Sequence, residues 1–213
     1  MRMNVSDELN VLMRECKNKI DNFPWHDRAC YSAWVAQTYY FVSHSTRLLA
    51  LSAARTPLVA QEYHVRFLAH TAEEKGHEKL LVNDMKGLGE RMSDWPEMAA
   101  ASAMYQTQYY HIEHSSPMAF FGYILALEAL AARFGGEIGK KVETSFGPKA
   151  AHFLRVHAEE DIGHVEEAME KINHLPPDEQ QLVLSNLRQS LTYYKQMLDE
   201  CVAYGKSRTS KAA

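Results

Sequence analysis

Cysteine, glycine and proline are all scarce in this chain of 213 residues, at three, ten and seven respectively. Cys16, Cys30 and Cys201 are odd in number and far apart, which argues against a disulfide framework and against a thiolate metal site. A reducing cytoplasm is the compartment expected from that usage. No run of about twenty residues is free of charge, and Met1 to Leu9 is polar, so neither a membrane span nor a signal peptide is expected. Strong charge imbalance is missing as well. The net charge of -4 gives no reason to expect nucleic acid or an anionic membrane as a partner. Low-complexity segments and inter-domain linkers are also wanting, so one domain is expected over residues 1–205, followed by a loose tail over 206–213. What is present is globular composition, 46% apolar and 23% charged, in a chain able to bury roughly 70% of its unfolded surface. Small molecules, or a second copy of the chain, are the expected partners. Eleven histidines are the compositional oddity.

The few glycines and prolines fall between long segments whose apolar residues recur every three or four positions, so the expected fold is an all-α bundle of seven or eight helices in one domain. A first helix is capped by Ser6 and stops before Pro24. A second, apolar around much of its circumference, runs from about Asp27 to Arg55. The third spans about Leu58 to Lys86, and a fourth reaches about His114. A fifth opens at Pro117 and ends at Gly135-Gly136, with a short helix after it to about Phe146. The sixth covers about Lys149 to Asn173, and the last runs from Pro176-Pro177 to about Tyr204.

Two of these helices carry the same triplet on their apolar stripes. In the sixth, Leu154, His157, Asp161, His164, Ala168 and Ile172 share a face; in the third, Phe67, His70, Glu74, His77, Leu81 and Met85 do. A His-x3-acid-x2-His pattern should arise by chance about 0.07 times in a chain of this composition, so two accidental copies are rare. In the fifth helix Glu128 is the only acid between Pro117 and Phe134, and a lone carboxylate buried there needs a counter-charge. That could be an arginine such as Arg47 or Arg133. Imidazoles and carboxylates converging in a dry core are costly as free groups, whereas divalent cations satisfy all of them together, and helical bundles build di-metal sites with an acid and a histidine one turn apart. The candidate metal ligands are therefore Glu74, His77, Glu128, His157, Asp161, His164 and His70, the last being either a ligand or a core histidine. A nitrogen and oxygen set without sulfur suits two iron ions, with manganese or zinc as alternatives.

With these residues in place, the chain resembles the haem-oxygenase-like di-iron oxidase and oxygenase family, which includes the chlamydial death-domain-associating protein and the undecene-forming fatty-acid decarboxylase. The resemblance rests on His157-x3-Asp161-x2-His164, on Glu128 in the preceding long helix and on His77 in the third. Some members place a glutamate seven residues before that first histidine and others three before; His70 and Glu74 hold those places here, which is similar to the second pattern. The resemblance implies a seven-helix haem-oxygenase-like bundle, a homodimer, two Fe(II) ions, and dioxygen chemistry on a small organic substrate. His77 and Glu74 would serve one iron, His157 and His164 the other or both, with Glu128 and Asp161 bridging. Phe67, Phe121, Tyr123 and Ile124 would exclude water.

Three alternatives stay open. Phe134 to Lys141 resembles the glycine-rich distal helix of haem oxygenases, which suggests haem handling. A thiaminase-like (TENA/PqqC-like) role would need a cysteine in the fifth helix, where this sequence has none. A non-catalytic metal-binding protein is the third.

Overall fold

The structure is a computed structural model that describes residues 4–212, apart from the side chains of residues 160, 162, 209, 211 and 212. Among these residues all regular structure is helical and no strand occurs. Ten α-helical segments form: α1 (Val5–Asn22), α2 (Arg28–Val42), α3 (Ser45–Arg55), α4 (Gln61–Glu73), α5 (Glu78–Gly87), α6 (Ala99–His114), α7 (Phe120–Leu130), α8 (Gly136–Phe146), α9 (His152–His174) and α10 (Pro177–Ala212). They outnumber the expected helices because two of the long ones, the second and the third, are interrupted.

The interruption between α2 and α3 lies at Ser43, whose hydroxyl donates to the Tyr39 carbonyl at 2.6 Å and so competes with the helical ladder. His44 follows, stacked on Tyr105 with centroids 3.8 Å apart. Between α4 and α5 the chain turns over Glu74–His77, and Gly76 takes the left-handed φ of 98° that a side chain would disfavour. The third expected helix is therefore broken inside its own motif. The fifth is not broken where glycine suggested. α7 passes through a single π turn at Ala131–Gly135 into α8, and Gly135 survives in the helix interior because a Cβ there would stand 3.2 Å from the Ala158 Cβ of α9. Glycine here permits close packing.

Two ends also differ from expectation. Asn4, not Ser6, caps α1, its side chain accepting from the Ser6 N–H at 3.1 Å. α10 does not end near Tyr204 in a loose tail but continues through Ala212, where Arg208 lies over the Trp95 ring at 4.2 Å and donates to the Asp94 carbonyl at 2.7 Å. Ala213 lies outside the described residues. All three cysteines are buried and free.

α10, about 54 Å long at 1.5 Å per residue, packs along α1, α2, α6 and α7, so it forms the spine of the bundle. Pro117–Phe146 is apolar and long enough to cross a membrane by composition, yet 72% of its most apolar window is buried inside the bundle. It is the central helix, and it runs against α9 and α10.

α9 begins without a capping side chain of its own. Asp84 of α5, fully buried, supplies the cap instead, accepting from the His152 N–H at 2.8 Å and the Phe153 N–H at 2.9 Å. This tie fixes where α9, and the side chains along it, start. Replacing Asp84 by alanine leaves two N–H groups of the first turn unpaired and opens space in the core, so we expect a loss of about 2–3 kcal/mol, read as a lower urea midpoint at unchanged m-value. An unchanged midpoint would show that the cap is dispensable.

Candidate metal centre

Four short stretches deliver the polar side chains of the core. His70 stands in the last turn of α4 and is 4% exposed; Glu74 and His77 flank the turn after it; Glu128 stands near the end of α7, 5% exposed; His157 and Asp161 point inward from α9, 7% and 3% exposed, with His164 half-buried one turn on. Because α9 is uninterrupted, its triplet keeps the helical spacing that puts all three residues on one face. Glu74 and His77 meet for another reason: the turn at Gly76 folds the chain so that the His77 Nδ1 lies 3.6 Å from Glu74 Oε2.

The donors fall into two groups of three. His70, Glu128 and His164 form one, Glu74, His77 and His157 the other, and within each group the donor atoms lie within 4.8 Å of one another. Two ligands on one ion at about 2.1 Å can be at most about 4.2 Å apart, so closing either group around a cation requires only small side-chain shifts. The groups adjoin, since His70 Nε2 lies 3.3 Å from Glu128 Oε1 in its own group and 3.7 Å from Glu74 Oε1 in the other.

Hydrogen bonding fixes which nitrogen is presented. His157 donates from Nδ1 to the Phe153 carbonyl at 2.9 Å, which leaves Nε2 as its free donor atom. His164 differs: its Nδ1 lies 3.2 Å from Asp161 Oδ1 and 3.9 Å from Glu128 Oε1, while its Nε2 lies 3.7 Å from Glu73 Oε2, so Asp161 holds the ring beside Glu128 without leaving a single nitrogen to the group. Burial raises the Asp161 carboxyl above its ordinary range, although His164 and His157 oppose the shift. The hydrogen bond to Asp161 in turn raises His164 above the usual imidazole value. For Glu74, burial pushes upward but His70 and His77 outweigh it, and the carboxyl is held well below the carboxylate range. Glu128 moves the other way: burial, then Asp161, push it well above that range.

Neither Glu128 oxygen accepts a hydrogen bond. Of the two arginines expected as possible counter-charges, Arg47 and Arg133, neither pairs with it, and Arg133 donates to Asn10 at 2.7 Å; the arginine whose charge opposes the shift is Arg66, itself paired with Glu73 at 3.1 Å and Glu167 at 3.2 Å. A buried carboxylate that accepts no hydrogen bond and is surrounded by imidazoles fits a divalent cation. Nitrogen and oxygen donors without sulfur fit iron, manganese or zinc.

All seven candidate residues are thus brought to one place, but not in the expected pairing. His157 joins Glu74 and His77, whereas His164 joins His70 and Glu128. Asp161 is outside both groups and holds His164. Helical phase gives the face of each residue and not its partners on other helices. Glu73 lies off both apolar stripes, yet its Oε2 is 3.7 Å from His164 Nε2. Its seven-residue spacing from Arg66, with which it pairs, was the available signal.

A narrow cavity of about 100 Å³ adjoins the donors, with walls from α1, α2, α3, α4, α7, α8, α9, α10 and the π turn. Tyr123 and Ile124 line it as expected; Phe67 and Phe121 do not, and instead pack on each other at 4.8 Å. The volume is below the ~150 Å³ of an engineered apolar cavity that admits benzene.

The chain matches the iron-containing redox enzyme family over residues 32–195, and it belongs to that family. Its bundle is a haem-oxygenase-like fold: it superposes on a domain of unknown function with that fold from Shewanella denitrificans OS217 at a TM-score of 0.86, with 18% identity over 99% of this chain and 97% of the other. A TenA homologue from Pseudomonas syringae pv. tomato DC3000 gives 0.75 at 14% identity, covering 91% and 92% of the two chains. A CADD-like protein of unknown function from Nostoc punctiforme PCC 73102 gives 0.68 at 17%, covering 91% and 96%. No curated protein matches by sequence.

The His164–Asp161 pair makes metal binding pH-dependent with a definite sign. In the metal-free protein the pair stabilises the fold below the ordinary imidazole value of 6.5, and that contribution disappears as pH rises through the raised value. A metal needs the neutral ring, so its affinity changes the opposite way. Mn(II) affinity, measured calorimetrically from about pH 8 to about pH 6, is expected to fall toward tenfold per unit as His164 takes up its proton, with the onset at lower pH in Asp161→Asn. An affinity flat over that range would remove His164 from the donor set.

Proposed function

We propose that this protein is a non-haem di-iron oxidase or oxygenase that uses dioxygen to oxidise a small organic substrate. One observation carries the proposal: two adjoining three-residue nitrogen and oxygen donor groups, built around a Glu128 carboxylate without a hydrogen-bond partner, open on an apolar cavity. Membership of the iron-containing redox family supports iron as the metal. When bound, two Fe(II) ions supply the electrons that activate dioxygen.

The protein's own part is positioning and exclusion. His70, Glu128 and His164 would hold one ion, and Glu74, His77 and His157 the other. The Phe153 carbonyl would keep His157 Nε2 turned to its metal, and Asp161 holds the His164 ring beside Glu128. The apolar wall, including Phe41, Ile124, Phe134 and Leu154, keeps water from the oxidised substrate. The cavity limits what can enter to a small and largely apolar molecule. We further propose that the protein works in the cytoplasm as a homodimer, without a nucleic-acid or membrane partner. Exposed Leu58, Val59, Val65 and Leu68 support self-association.

Anaerobic Fe(II) titration followed by rapid mixing with dioxygen tests the proposal. About two irons per chain and a transient visible absorption are expected, with Glu128→Gln and His157→Ala each losing at least one iron. Absence of iron uptake, or loading unchanged in both variants, would refute it; uptake without oxygen consumption would favour a non-catalytic metal-binding role.

A further inference from the structure

Along α4, Arg66, His70 and Glu73 share one face, at spacings of four and three residues, and across from it stand His164 and Glu167 of α9. Arg66 is 8% exposed, and a guanidinium that deep requires partners. Its Nη1 lies 3.1 Å from Glu73 Oε2 and its Nε 3.2 Å from Glu167 Oε2, so Glu73 is anchored although 41% of its side chain is exposed. The anchored oxygen has a second neighbour. Glu73 Oε2 is also 3.7 Å from His164 Nε2, a gap that a shift of about 1 Å or less turns into a hydrogen bond.

His164 is thus flanked by carboxylates at both ring nitrogens. On the other side of the ring, Nδ1 lies 3.2 Å from Asp161 Oδ1 and 3.9 Å from Glu128 Oε1. Two ligands of one ion stand at most about 4.2 Å apart, so Nδ1 and Glu128 Oε1 can take the same cation as they stand. Asp161 and that cation then compete for one nitrogen. Once Nδ1 is given to an ion it has no proton for Asp161, and the neutral ring carries its proton on Nε2, where Glu73 stands.

We propose that Glu73, held by Arg66, is the positioning residue for His164 in the metal-bound protein: it accepts the Nε2–H and keeps Nδ1 on the ion shared with Glu128. The ring then changes tautomer on loading. Without metal its proton sits on Nδ1 and is donated to Asp161; with metal it sits on Nε2 and is donated to Glu73. One proton leaves Nδ1 and one is taken up at Nε2, exchanged through water on the exposed side of Glu73. Metal-ligating imidazoles are oriented through their second nitrogen in this way, and here Arg66 and Glu167 fix the carboxylate between α4 and α9. The inference rests on the proposed function only in taking His70, Glu128 and His164 as donors to one ion; no dioxygen chemistry enters it.

The test uses the full chain with isotope-labelled histidine, metal-free and loaded with diamagnetic Zn(II), at about pH 8, where an ordinary imidazole is neutral. The His164 signals are those absent from His164→Gln. Long-range proton–nitrogen correlation should show the ring proton on Nδ1 without metal and on Nε2 with Zn(II), with Nδ1 carrying the metal. In calorimetric Mn(II) titrations Glu73→Ala should weaken one of the two ions at least about tenfold. Glu73→Gln, whose amide oxygen still accepts a hydrogen bond, should recover most of that loss, whereas a role through charge alone predicts no recovery. Melting curves without metal confirm that both variants fold, as a substitution at a half-exposed side chain allows. Zn(II) on Nε2 with the proton left on Nδ1, a His164 ring that Zn(II) does not touch, or a Glu73→Gln variant as weak as Glu73→Ala would overturn the inference. The two readings fail separately. Zn(II) on Nδ1 with Nε2 protonated, in a chain whose Fe(II) form consumes no oxygen, contradicts the oxidase proposal alone; iron loading and oxygen consumption in a chain that holds Zn(II) on Nε2 contradict this inference alone.

Discussion

A carboxylate near the end of α7, in a helix with no other acid, sets the terms for the rest of the core. Glu128 is 5% exposed and neither of its oxygens accepts a hydrogen bond. Left alone it would be protonated or would favour unfolding, because removing a charge from water without a partner costs several kcal/mol. The bundle surrounds it with imidazoles instead of arginine. His70 comes within 3.3 Å and His164 within 3.9 Å, too far and too poorly aligned for strong hydrogen bonds but well arranged to share a cation.

The helices around Glu128 are built to hold that arrangement rigid. α9 is started by Asp84 from a neighbouring helix, so the phase of His157, Asp161 and His164 is set by a buried tie and not by the loop before it. The π turn at Ala131–Gly135 follows Glu128 by less than one turn and brings Ala131, Phe134 and Gly135 onto the cavity wall. Such turns are rare and occur mostly at functional sites. Burial on the α10 spine stabilises the frame, and the unpaired carboxylate is tolerated within it.

The fold and every residue of the two candidate donor groups are legible in the sequence, for physical reasons that also mark its limits. Along α9 the helical period is unbroken, so His157, Asp161 and His164 were placed correctly relative to Leu154 and Ile172. His70, Glu74 and His77 were selected by the same period although the helix breaks at Gly76; Glu74 and His77 come together through a turn that periodicity does not encode. Which histidine shares a group with which acid depends on the packing of α4, α7 and α9, and no single-helix pattern contains it. Glu73 was hidden because nearly half its side chain is exposed. Glycine more often punctuates than packs, so the pattern ends a helix at Gly135, and the polar Lys206, Ser207 and Arg208 hide the C-terminal extension of α10, where Arg208 is anchored on Trp95 by contacts remote in sequence.

The central claim is that this core holds two metal ions, divided between His70, Glu128 and His164 on one side and Glu74, His77 and His157 on the other. Anomalous diffraction at the iron edge, from crystals grown anaerobically with Fe(II), addresses it most directly. The account requires two peaks, one in each donor group, with Asp161 next to His164 and not between the ions. A single peak, peaks outside these residues, or no peak in Fe(II)-saturated crystals would contradict it.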